Sequence, residues 1–411
     1  MRVKTLSDGV NVHVYPTDKF KSVSAAILIR RPISRRAATV TALSPQILRR
    51  GSRKHDTFIN INRKIESLFG ATFDARVVKK GEQQIIQFFT EFSKSHDREN
   101  VTFECLEFLN DMAFDPLVEN GAFLERYARR EKENLRLTIE GLVNNKTEYA
   151  KQRCIEIMCS KEPFGVRGDG YAEDLDDITS KNAYEYYLSL IKRAEIDFVV
   201  IGDVDAEKIF SAINGLFPIE RDGAKLDETE VNDADEGLTK EITENMGLTQ
   251  GKICAGFRTA PSDENYYGLL VANEIYGGQN SRLFNVVREK HSLCYYINTV
   301  SYRSKGIILL QSGVDAGNFD KALELSLAEL ENLTKNGVSD EELENAKNII
   351  DKMYLGVKDS PGYLMDFYVS QFMMGDSDGL DEAISKIENV SKRDAERAFA
   401  NLRLDAVYKL S

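Results

Sequence analysis

Along the first half of the chain the apolar positions change rhythm repeatedly. "NVHVYP" and "SVSAAILIR" carry the short, β-branched runs of strands and predict two neighbouring strands joined by a turn. Helical spacing follows, from about Ala37 to Leu48 and from Asn60 to Leu68, then a strand pair, "ATFDARVV" and "QQIIQFFTEF", then a run of long helices. Strands grouped early and helices grouped later predict an α+β fold, a largely antiparallel sheet with helices covering one face.

The same pattern is then written a second time. "ITSKNAYEYYLSLIKRAEIDFVVIGDV" (Ile178 to Val204) recurs in outline as "ENVSKRDAERAFANLRLDAVYKLS" (Glu388 to Ser411). Each has a Ser/Thr before a polar helix with aromatic residues on one face, followed by a β-branched run that reads as a strand. Ala183 matches Ala395 and Tyr187 matches Phe399, both 212 positions on, far beyond the periods of solenoid repeats. Walking back, Glu125 to Ala150 lines up with Asp340 to Leu364, and Lys146 falls opposite Lys358. The helix from Val101 matches the one from Asn318. "KIESLFGATFDARV" from Lys64 matches "VVREKHSLCYYINTV" from Val286, each a helix end, a turn and a strand. Four pairs in one order predict two tandem homologous domains.

A chain of 411 residues with 42% hydrophobic content has enough apolar material for two cores. Between the halves lies "IERDGAKLDETEVNDADEGLTKEITEN", acidic and poor in large apolar residues, which reads as an exposed linker. The expected division is therefore 1–218, a linker at 219–245, and 246–411. Net charge is −12, which argues against nucleic acid as a partner, because phosphate binding needs clustered cations. One basic run departs from that balance: Arg30, Arg31, Arg35, Arg36, Arg49, Arg50, Arg53 and Lys54. It reads as a solvated face or as a surface receiving acidic segments of a peptide. Five cysteines with no C-x-x-C pair suit a reducing compartment and suggest neither a disulfide framework nor zinc. No stretch approaches the length of a signal-peptide core or a membrane span, so the expected location is cytoplasmic, with no membrane partner. "GVRGDGY" from Gly165 lacks the G-x-G-x-x-G spacing of a dinucleotide site, and no cofactor is expected.

"YGGQNSRLFNVVREKHSLCYYINTVSY" (Tyr276 to Tyr302) combines a glycine pair, S-R-L-F, and R-E-K-x-x-L-x-Y in fixed order. It resembles a signature of the pitrilysin-type zinc metallopeptidases, the family that includes mitochondrial processing peptidase. That family's duplicated domains, each a sheet covered by helices, match the repeat, so the resemblance extends over essentially the whole chain.

The resemblance implies an H-x-x-E-H motif on a helix of the first half, two imidazoles one turn apart holding zinc and a glutamate polarising its water. In the family the motif runs into a glycine. Reading back from Gly51 in "ATVTALSPQILRRGS", the first His position is Ala42, the Glu position Pro45 and the second His position Gln46. A methyl group and a proline ring have no donor for zinc, and a neutral amide binds it far more weakly than imidazole. The downstream metal-ligand glutamate falls near Glu131 or Glu133, which read as part of a solvated helix face with Arg129, Arg130 and Lys132. The four histidines, His13, His55, His96 and His291, are scattered, and no metal site is expected.

In the family the arginine and tyrosine of the second-half signature reach toward the substrate backbone and the developing oxyanion. By position these are Arg288 and Tyr295, with Tyr296 the alternative, while Gly277 and Gly278 either shape a loop close to substrate or end a helix. Bacterial relatives associate two different subunits, one with the zinc motif and one with the arginine and tyrosine. The resemblance thus implies a non-catalytic, substrate-binding subunit of a heterodimeric peptidase that takes an unfolded or peptide substrate by strand addition. The alternative is a structural or peptide-binding protein with no proteolytic role.

Overall fold

The computed structural model describes residues 1–94, 100–217, 219–223, 226, 239–259 and 265–411. Most of the acidic linker therefore lies outside the described residues, and so does His96. In the first half the elements are β1 (Arg2–Ser7), β2 (Val10–Pro16), β3 (Ser22–Pro32), α1 (Ala38–Leu48), α2 (Phe58–Ser67), β4 (Thr72–Lys80), β5 (Gln83–Ser93) and α3 (Asn100–Phe114). A two-residue pair, β6 (Val118–Glu119) and β7 (Ala122–Phe123), precedes α4 (Glu125–Gly141), α5 (Lys146–Met158), α6 (Ser180–Arg193), β8 (Glu195–Gly202) and α7 (Ala206–Leu216). The second half comprises β9 (Lys240–Glu244), β10 (Gly251–Arg258), α8 (Tyr266–Gly277), β11 (Cys294–Tyr302), β12 (Ile307–Val314) and α9 (Phe319–Asn336). It closes with α10 (Asp340–Val357), α11 (Pro361–Met373), α12 (Leu380–Glu388), α13 (Lys392–Ala400) and β13 (Arg403–Leu410).

The duplication is written in the strand order. One sheet runs β1-β2-β8-β3-β5-β4 and the other β9-β13-β10-β12-β11. Dropping β1, each has a parallel pair first, β2 with β8 and β9 with β13, and antiparallel pairs thereafter. The closing helix and strand of each half match as expected. Thr179 with Asn182 and Ser391 with Asp394 both form reciprocal capping boxes that fix the helix start. Ala183, Tyr187, Ala395 and Phe399 are all buried. Two local readings are corrected. β2 and β3 are not neighbours, because β8 inserts between them, parallel to the first and antiparallel to the second. Lys240–Glu244, read as linker, is a strand held by β13 and by the Lys409 ammonium 2.5 Å from Glu241.

The chain divides into two compact units that interleave in sequence, where the sequence reading had each half contiguous. The first comprises Met1–Glu140, Val166–Glu230 and Val357–Ser377; the second Gly141–Gly165, Val231–Gly356 and Asp378–Ser411. Each unit thus contains one helix from the other half of the sequence, α11 in the first and α5 in the second.

Both faces of each sheet are consequently covered, which accounts for strands that are apolar on both sides, such as "IDFVVIG". In the first unit Val12, Val14, Ile27, Ile29, Phe198 and Val200 face the main core. On the opposite face α11 lays Tyr368 on Tyr15 (ring centroids 4.8 Å apart) and Phe372 flat on His13 (4.2 Å). In the second unit Ile253, Ala255 and Phe257 face one core, while Cys254, Leu309, Ala406 and Tyr408 pack with Ala150, Cys154 and Met158 of α5. Each sheet also sets a part-buried arginine on a buried aspartate across adjacent central strands: Arg30 Nε to Asp197 at 2.5 Å, and Arg258 Nε to Asp405 at 3.0 Å. Among the described residues, no helix is long and apolar enough to cross a membrane.

Candidate functional site

The segment expected to hold a zinc motif is helical, and hydrocarbon fills it. Ala42 and Pro45 are buried on α1, and Gln46 is half-buried. Pro45 sits inside the helix, where it removes a backbone donor. The α1 N-terminus is closed by the 165–171 loop: Gly170 has φ +76°, and a Cβ there would lie 2.4 Å from Thr39, so only glycine fits.

Glu131 is not on a solvated face. It is fully buried, while Glu133 is exposed. Arg50 Nε lies 2.5 Å from its Oε1, Asn134 Nδ2 lies 3.1 Å from its Oε2, and an Arg49 terminal nitrogen is 3.9 Å from that same oxygen. The reason is helical phase: Ala128, Glu131 and Leu135 are the buried stripe of α4, and their charged neighbours point outward. The zinc that the resemblance implies does not fit these residues. Ala42 and Pro45 offer no donor, and the buried carboxylate of Glu131 already has a cation in Arg50. Among the described residues, no three His, Cys, Asp or Glu side chains form a group that could hold a metal ion.

The basic run is likewise consumed internally. Arg30 pairs with Asp197 and Glu195, Arg35 with Asp174 and Glu173, Arg53 with Asp115, and Lys54 with Glu107 and Asp111. Arg31 is buried, with a guanidinium nitrogen 2.5 Å from the Tyr186 hydroxyl. Only Arg36 of this run is left exposed without such a bond. Of the two readings, the solvated face holds for the exposed Arg36, Arg53 and Lys54, and the other members form ion pairs and hydrogen bonds that tie α1 and its flanks to neighbouring elements.

The second-half signature stands differently. Phe284–Lys290 form a π-helical turn, a wide turn that recurs at functional sites. Arg288 projects from it with its side chain 43% exposed, its guanidinium 4.7 Å over the Phe284 ring and its Nε 3.8 Å from Glu289. Ser292, at φ +53°, turns the chain into β11. The register of β11 against β12 slips between Cys294 and Tyr296, so Tyr295 is the extra residue of a β-bulge. β11 is an edge strand, and Tyr295 is 70% exposed with no hydrogen bond to any described residue. Burial holds the neighbouring Cys294 thiol above its ordinary range, against smaller opposing effects of the Ser312 hydrogen bond and the Arg288 charge. Tyr296 is half-buried, its hydroxyl 3.1 Å from Thr147, which leaves Tyr295 as the free phenol.

Gly277 and Gly278 end α8, and the two are not equivalent. A Cβ on buried Gly277 would lie 2.3 Å from Thr299 Oγ1 of β11, whereas the nearest atoms to one on Gly278 belong to the Glu274 carboxylate, the far end of a flexible side chain. Gly277→Ala should therefore cost about 1–3 kcal/mol by overpacking and Gly278→Ala distinctly less, a comparison that parallel urea titrations would make.

Arg282, inside S-R-L-F, is a residue the sequence reading passed over. It forks onto Glu342 (2.6 and 3.0 Å) and reaches the Gly337 carbonyl (3.3 Å), binding the signature to α10. The Arg282 hydrogen bond, with those from Ser339, holds Glu342 down to about 2 against burial. A depressed carboxylate adds stability above its unfolded value and loses it as pH falls toward the folded one. Because Glu342 is part-exposed, the gain over Arg282→Met should be about 1 kcal/mol near neutrality and should fade between about pH 4.5 and pH 2. Urea midpoints of both chains across that range would show it.

All five cysteines are buried and none is in a disulfide. Burial pushes Cys105 up to about 12, which makes it inert as a nucleophile.

The duplicated α+β chain thus exposes Arg288 and Tyr295 on a π-turn and a bulged edge, and offers no metal donor at Ala42 or Pro45. A family model described as "Peptidase M16 inactive domain" matches residues 177–350. "Probable inactive metalloprotease YmfF" of Bacillus subtilis (strain 168) is 31% identical over 415 residues, covering 99% of this chain and 97% of that one. A conserved protein from Enterococcus faecalis V583 superposes with TM-score 0.90 at 26% identity, covering 100% of this chain and 98% of that one. A peptidase M16 inactive domain from Pseudomonas fluorescens gives 0.82 at 16% identity over 100% and 97%, which speaks for the fold alone. The chain belongs to the Peptidase M16 inactive domain family.

Proposed function

We propose that this chain is the substrate-binding, non-catalytic subunit of a heterodimeric zinc peptidase, with Arg288 and Tyr295 supplied to a homologous partner that carries H-x-x-E-H. The observation that carries this reading is the contrast within one molecule. Beside the degenerate motif the buried Glu131 is neutralised by Arg50, whereas Arg288 and Tyr295 are held outward by a π-turn, a positive-φ serine and a bulge. Internal packing does not require an exposed phenol on a bulged edge strand. An arginine and a phenol are donors, the chemistry that stabilises a tetrahedral oxyanion. The unpaired backbone of β11 beside them suits an extended peptide added as a further strand.

The test uses this chain and the homologue with an intact H-x-x-E-H motif from the same genome. Each alone should leave a fluorogenic peptide library uncut, and an equimolar mixture should cleave it. A mixture no more active than the homologue by itself would reject the subunit reading and favour a structural or peptide-binding protein with no proteolytic role.

A further inference from the structure

A cleft of about 570 Å³ opens in the second unit between the end of α8, the loop that follows it and α10, a size usual for small-molecule sites. Its charged lining residues are Glu274, Arg282, Glu342 and Lys352. Arg282 and Glu342 satisfy each other through the fork described above. Glu274 and Lys352 do not meet: one comes from α8 and the other from α10, and neither forms an ion pair with any described residue. Asn345 and Asn348 share the Lys352 stripe of α10, and their carboxamides make no hydrogen bond to any described residue.

Internal packing accounts for all of these except Glu274. An exposed lysine or asparagine is satisfied by water, but Glu274 is half-buried in the last turn of α8, where the helix dipole disfavours a negative charge. Its carboxylate lies over Gly278, where a Cβ would come within 2.1 Å of it, and accepts one hydrogen bond, from the Gln279 amide at 2.9 Å. Burial pushes this carboxyl above its ordinary range. A residue that breaks two local preferences with no compensating cation marks a place where a ligand can supply one.

We propose that this cleft binds a short peptide with both termini free, its ammonium on Glu274, its carboxylate on Lys352 and its amide bonds on the carboxamides of Asn345 and Asn348. Such a molecule carries one charge of each sign and hydrogen-bonding amides between them, the complement of what lines the cleft. Neither Arg288 nor Tyr295 lines it, and the inference does not rest on the subunit reading.

The experiment is calorimetric titration of the purified full-length chain with tri-alanine, with its N-acetylated form and with its C-terminal amide. Tri-alanine should bind in one equivalent with Kd below about 1 mM. Each capped form should bind about 10–100-fold more weakly, because each loses one charge-assisted hydrogen bond. No binding of tri-alanine, or either capped form binding as tightly as the free peptide, would overturn the proposal. Two variants locate the charges. In Glu274→Gln, whose side-chain oxygen can still accept from the Gln279 amide, tri-alanine and its acetylated form should bind alike. In Lys352→Met, at an exposed position, tri-alanine and its amide should bind alike. Undiminished discrimination in either variant would put the recognising charge elsewhere, and the proposal falls. Should a variant not fold, the three ligands on the unsubstituted chain decide.

Discussion

Arg258→Ala should destabilise the second unit by about 3–5 kcal/mol, the cost of leaving buried carboxylates without their cation. Arg258 joins three elements that sequence keeps far apart. Its Nε is 3.0 Å from Asp405 on β13, one terminal nitrogen is 2.5 Å from Glu162, and the same nitrogen is 2.9 Å from the Met158 carbonyl at the end of α5. Burial alone would push Glu162 up, but hydrogen bonds from Arg258 and from Lys305 bring it below the usual carboxylate range. Lys305, also 2.5 Å from Glu162, keeps that carboxylate partly compensated in the variant, and Asp405 is left alone. The loss should therefore be smaller in Arg258→Ala/Asp405→Asn than in the single variant. Urea unfolding followed by near-ultraviolet dichroism measures both, and a single-variant cost below about 1 kcal/mol would mean that water reaches this cluster.

In the proposed two-subunit complex, Arg288→Ala should lower peptide cleavage by about 10²–10³-fold, the usual cost of deleting a donor aimed at an oxyanion. Stability should change by no more than about 0.5 kcal/mol, because the side chain is exposed and its one acidic neighbour is 3.8 Å away. Tyr295→Phe, which removes only the hydroxyl, should act in the same direction and mainly on kcat if the phenol binds the transition state more strongly than the substrate. Tyr296→Phe is the control. Its hydroxyl bonds Thr147 within the unit, so it should affect stability and leave turnover nearly unchanged. Full activity in both Arg288→Ala and Tyr295→Phe would mean that the exposed pair serves something other than catalysis in the complex.

The duplication was legible because it rests on local signals. A capping serine or threonine, an alanine and an aromatic at fixed helical spacing, and a following strand are properties of twenty or so consecutive residues, and both copies kept them. The exchange of α5 and α11 was not legible. Nothing within "KTEYAKQRCIEIM" or "PGYLMDFYVSQFM" says which sheet each will cover, because that choice is made by long-range packing against Cys254 and Tyr408 or against His13 and Tyr15. β9 was hidden by its composition: "KEITE" has one apolar residue, and its strand state comes from pairing with β13.

The candidate site divides in the same way. Absence of the two imidazoles at Ala42 and Gln46 and of the glutamate at Pro45 could be read directly, since residue identities need no coordinates. The burial of Glu131 was masked by Arg129, Arg130, Lys132 and Glu133. The spacing from Ala128 through Glu131 to Leu135 is a helical stripe, and attention to it would have placed that carboxylate inside. The Tyr295 bulge could not be read, since a register slip depends on the partner strand.

Most direct of all is a measurement on the purified chain without any partner: its zinc content, and its cleavage of unfolded polypeptide with and without a chelator. The account predicts substoichiometric zinc, no cleavage and no effect of the chelator. One tightly held zinc per chain, with cleavage that the chelator abolishes, would contradict it.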